Sequence, residues 1–74
     1  MAAPMMTFHH RLIQFDDITE GMEIPEARRD LTLQNVLWLL RNIHFKNSNH
    51  PNFGEAVEML KVFQRELSRR SSPS

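Results

Sequence analysis

Residues 36–40 read Val-Leu-Trp-Leu-Leu. Consecutive apolar residues inside a helical pattern point all the way around the helix, whereas a surface helix of a small protein needs only one apolar stripe. At about 100° per residue the surrounding segment resolves into two faces. The first carries Leu33, Val36, Leu37, Leu40 and Ile43, with Leu39 and His44 at its edges, and has the form of a core stripe. The second lies roughly opposite and carries Ala27, Leu31, Trp38 and Phe45, flanked by Gln34, Asn35, Arg41 and Asn42. Within the run, Trp38 alone turns to this far side. Two coverings are expected for it: an N-terminal helix laying Phe8, Leu12 and Phe15 across it, or a second chain. Trp, Phe and Arg are enriched at interface centres. The second covering is therefore favoured, with Leu31, Trp38, Arg41 and Phe45 as the expected partner interface.

Working outward, Pro25 suits the first turn of a helix, where its missing N–H costs nothing. Glu26 follows where negative charge complements the helix dipole. Asp30 offers a second start. One long helix is expected from Pro25 or Asp30 to Phe45 or Lys46. The turn formers Asn47-Ser-Asn-His-Pro-Asn52 end it. A second long helix starts near Asn52 or Phe53, with Asn52 as N-cap and Glu55 three residues on as its capping-box partner. Its apolar residues Phe53, Ala56, Leu60, Phe63 and Leu67 alternate in spacings of three and four, the pattern of a helix packed in a bundle. Upstream, Asp16 to Ile24 reads as an acidic connection with turn chemistry at Asp16-Asp17 and Glu20-Gly21, and with Met22 and Ile24 as apolar anchors. Met5, Phe8, Leu12 and Phe15 fall on one helical stripe, so Phe8–Phe15 is expected to be a short helix, favoured over the strand that its aromatic and branched content would also allow. Residues 1–7 and 71–74 are expected to be flexible ends around a single helical domain, 8–70.

A chain of 74 residues buries only about 60% of its unfolded surface and usually needs a supplement to its core. It has no cysteine, which excludes disulfides and thiolate metal sites, so dimerisation is the expected supplement. Residues 1–37 hold Arg11, Arg28 and Arg29 against six carboxylates; residues 38–74 hold six cations against Glu55, Glu58 and Glu66. Such a polarised chain can pair with a copy of itself or turn a basic face to an acidic partner. No run reaches the roughly 20 apolar residues of a membrane span, and Met1–Met6 lacks the charged start of a signal peptide. An intracellular location, cytoplasm or nucleus, is expected.

Catalytic chemistry is not indicated. The histidines His9, His10, His44 and His50 show no metal-ligand spacing, and no phosphate loop or nucleophile motif occurs. Neither metal nor cofactor nor small-molecule substrate is expected. Lys61, Arg65 and Arg69 fall at i, i+4 and i+8 of the last helix, with Arg70 beside them, a stripe able to follow a phosphate backbone. In the tail, Ser72 follows two arginines and precedes Pro73, which suits a phosphorylation site. The composite expectation is an all-α domain of two long helices and a short N-terminal element, dimeric and not an enzyme. It acts as a regulatory or adaptor protein through self-association and protein binding. The alternative is a dimeric nucleic-acid-binding regulator using the basic stripe.

Overall fold

Residues 8–71 are described by the computed structural model of the protein. The expected loose end 1–7 lies outside them, as do 72–74; Ser71, assigned to the tail, is the last residue of a helix. The elements in order are α1 (Phe8–Ile18), a 3-10 turn (Glu26–Arg28), α2 (Leu33–Asn42), α3 (His44–Asn47) and α4 (Phe53–Ser71). No strand occurs among the described residues. The ambiguous N-terminal segment is helical, and it continues three residues past Phe15.

The axis of the fold is α4, against which α2 and α1 both pack. The alternation of threes and fours along α4 places Ala56, Leu60 and Phe63 fully inside. Phe63 is the pivot: Phe8 and Phe15 of α1 meet its ring edge-on, with centroids 5.4 and 5.7 Å away, a favourable arrangement of ring quadrupoles. The N-terminal helix therefore spends its aromatics on α4 and does not cover Trp38, the first covering considered above. From α2 the buried residues are Val36 and Leu39, joined by Ile43. This shifts the expected stripe: Leu39, placed at its edge, is central, and Leu37, placed within it, is 39% exposed.

The expected long central helix is broken twice, and only α4, at 19 residues, is long. At the front, Pro25 caps a single 3-10 turn. The true start of α2 is Thr32, whose hydroxyl accepts the Asn35 N–H. Asn35 in turn donates its side-chain amide to the carbonyls of Ala27 and Asp30, which pins the 3-10 turn to the first turn of α2. At the back, Ile43 keeps right-handed helical angles (φ −60°, ψ −31°), yet the helix is interrupted there. The Asn42 and Asn47 amides donate to the carbonyls four residues back, Trp38 (2.8 Å) and Ile43 (3.0 Å).

Asn47 also organises the connection from α1. It is 4% exposed. Its Oδ1 accepts the Glu23 N–H at 2.7 Å, and its Nδ2 donates to the Glu23 carbonyl at 3.0 Å. One side chain thus satisfies both backbone groups of a residue 24 positions away, as a paired strand would. Gly21, at φ 86°, turns the chain out of α1 in a region that residues with a Cβ avoid. Met22 then enters the core. On the other side of this junction, the Asn52 amide donates to the Ile18 carbonyl at 2.9 Å. His50 accepts the Asn52 N–H at Nδ1 (3.1 Å) while its Nε2 lies 3.1 Å from the Glu20 carbonyl. Nε2 is therefore the protonated nitrogen of this ring. Asn47, His50 and Asn52, which read as turn formers, together staple the end of α1 and the connection after it to the α3–α4 corner.

The Asn47→Ala variant leaves two backbone groups of Glu23 without partners. It is expected to lose about 1–3 kcal/mol, a fall in Tm of roughly 5–20 °C for a domain of this size, measured by circular dichroism. Phe63→Ala removes the pivot ring and should cost about 3–5 kcal/mol.

Candidate functional site

The connection held by Asn47 forms a wall. Ile24 and Pro25 stand on one side and Trp38, Leu39, Ile43 and Phe45 on the other, enclosing a groove of about 480 Å³. Glu23 and Lys46 close one end and form an ion pair at 3.9 Å. A second depression, of about 330 Å³, lies on the other side of Trp38 and is bordered by Arg28, Gln34, Leu37, Arg41 and Asn42. Trp38 and Asn42 line both. The indole is therefore a ridge between two adjoining hollows, one apolar and one arginine-rimmed.

Within the chain, Trp38 is not covered by the expected N-terminal helix. Its edge packs against the core, and the Arg28 guanidinium sits 4.8 Å from the centre of its ring, a cation–π contact. Arg28 is held there by Asn35, whose Oδ1 accepts from Nη1 at 3.1 Å. The cover comes from the chain's own 3-10 turn and leaves the indole half-buried. Of the four expected interface residues, Trp38 and Phe45 share the apolar groove, Arg41 borders the second hollow, and Leu31 is packed partly into the core instead. Phe45 is 70% exposed, with the His44 ring 4.1 Å from its own. The site residues that periodicity missed are Pro25 and Arg28. Both were visible in the sequence, but no local pattern says that a turn folds back over Trp38.

The basic stripe of α4 is less free than its spacing suggests. Lys61 pairs with Glu58 at 3.3 Å and Arg69 with Glu66 at 2.8 Å. Arg70 leaves the stripe and lies 4.7 Å from the centre of the Phe8 ring. Arg65 remains exposed, and the fold brings Arg11 of α1 to the same shallow surface as Arg65 and Arg69. Ser72 lies outside the described residues. Among the described residues, no three His, Asp or Glu side chains gather as metal ligands, and no helix is long and apolar enough to cross a membrane. The chain matches no protein-family model, no curated protein and no solved structure.

Trp38 is the single tryptophan, so its fluorescence reports on the ridge alone. Arg28→Ala should shift its emission to longer wavelength and steepen acrylamide quenching. The stability cost should be only about 0.5–1 kcal/mol. Unchanged quenching would show that Arg28 does not shield the ring.

Proposed function

We propose that this protein is a non-enzymatic binding module, regulatory or adaptor in role, that holds a helical segment of a partner protein in the groove beside Trp38. The observation that carries this reading is the juxtaposition of an apolar groove of about 480 Å³ with the exposed Phe45 ring on its rim. Exposed apolar surface next to a partly covered Trp is characteristic of interfaces. The groove is shallow and open, which suits the side chains of a docked helix better than an enclosed small molecule. The core formed by Phe63, Leu60 and Leu39 is closed within one chain, so binding through the groove does not need to rescue the fold.

Self-association through the same face is the homotypic form of this reading. A second copy offers the arginine rim no free carboxylate at its own groove, where Glu23 is already paired with Lys46, which favours a different protein as occupant. The test is selection of displayed helical peptides on the wild-type protein, followed by binding to Phe45→Ala and Leu37→Ser. Both side chains are exposed, so both variants should keep the wild-type circular dichroism spectrum. Binding is expected to fall at least about tenfold in Phe45→Ala, the loss of a well-placed aromatic anchor. Selected peptides that bind both variants as well as wild type would overturn the proposal. Sedimentation equilibrium should show a monomer; a wild-type dimer that Phe45→Ala dissociates would instead place a second copy in the groove.

A second reading is contact with a nucleic-acid backbone through α4, favoured by Arg11 joining Arg65 and Arg69 on one surface. It requires duplex RNA or DNA binding that weakens steeply with salt and is reduced in Arg65→Glu. Binding that is absent or insensitive to salt removes it.

A further inference from the structure

We infer that the occupant of the Trp38 groove is an acidic amphipathic helix, with apolar anchors for the groove and carboxylates for the arginine rim. This inference rests on the proposed binding function and names the chemistry of its partner. The charged residues bordering the two hollows are Glu23, Arg28, Arg41 and Lys46. Glu23 and Lys46 form an ion pair. Arg29, the neighbour of Arg28, is held by Asp16 and Glu26 at 3.7 and 3.8 Å. Arg28 and Arg41 form no ion pair with a carboxylate among the described residues. The unbalanced charge around Trp38 is therefore positive and lies on one side of the indole, while the surface on the other side is apolar.

That asymmetry dictates the ligand. An apolar side chain fits between Ile24, Pro25 and Phe45. A side chain three or four positions along the same helix lies about 5–6 Å away, on the far side of the indole ridge. At that position a carboxylate reaches Arg41, and Arg28 without leaving Trp38, as guanidinium forks donate paired N–H bonds to carboxylate oxygens. A basic segment would meet repulsion there. A nucleic-acid strand would satisfy the arginines but leave Ile24, Pro25 and Phe45 facing phosphate and sugar. The apolar wall and the cationic rim together select a helix with leucine- or phenylalanine-like anchors and glutamate or aspartate beside them.

The probes are two tryptophan-free helical peptides of equal length. Both carry leucines at i and i+4; one has glutamates flanking them, the other lysines at the same positions. Binding is followed through Trp38 fluorescence of the full chain. The acidic peptide is expected to bind at least about tenfold more tightly than the basic one. Its affinity should weaken as salt is raised, and Arg41→Glu, which leaves Arg28 opposite a carboxylate of the chain itself, should abolish the preference. Arg41 is exposed, and circular dichroism confirms that the variant is folded. Equal affinity for both peptides, or an Arg41→Glu variant that keeps the wild-type preference, overturns the acidic partner and leaves the groove reading intact. Failure of both peptides to bind at millimolar concentration overturns the two together.

Discussion

The Asn47 side chain, clamped on both backbone groups of Glu23, is the interaction on which the candidate site depends. Without it the segment after Met22 has no regular structure to satisfy its backbone groups, and an unpaired buried amide or carbonyl is costly. With it, Ile24 and Pro25 are held opposite Trp38 and Phe45, and the surface between becomes a groove. The same Asn47 amide also donates to the Ile43 carbonyl, which ties the clamp to the end of α2.

How much of this was legible in the sequence follows from the range of the forces involved. The spacing of Phe53, Ala56, Leu60, Phe63 and Leu67 announced α4 and its buried face, because burial of a periodic stripe is repeated along a whole helix. The all-helical class followed from it. The boundaries of the central segment did not. Thr32 and Asn42 each act through one side-chain hydrogen bond and Asn47 through three, and an asparagine that ends a helix looks the same in sequence as one that clamps a distant residue. The choice between Leu37 and Leu39 for the core was equally hidden, since the two are separated by about 200° and only the placement of α4 decides between them.

Trp38 shows the same division. Its separation from its apolar neighbours was readable from helical geometry alone. Its cover was not, because Arg28 reaches it only after Asn35 and Thr32 have bent the chain back from the 3-10 turn. The charge polarity of the sequence is likewise partly satisfied inside the molecule: Lys46 and Glu23 join the basic and acidic halves, and Arg29 stays with Asp16. Arg28 and Arg41 keep their charge beside the groove. The fold places that residual charge beside the groove and the exposed Phe45, and the proposed preference for an acidic partner rests on that combination.

Amide hydrogen exchange at Glu23, followed by NMR in the wild-type chain, tests this account most directly. Glu23 lies in a connection with an exposed side chain, where an uncommitted N–H exchanges within seconds or faster. This one amide is expected to be protected to nearly the level of the Leu60 and Phe63 amides in α4, because opening it requires releasing Asn47 from the α3 corner. Exchange at the rate of an unstructured peptide would contradict it. The wall of the groove would then be unsupported, along with the site built upon it.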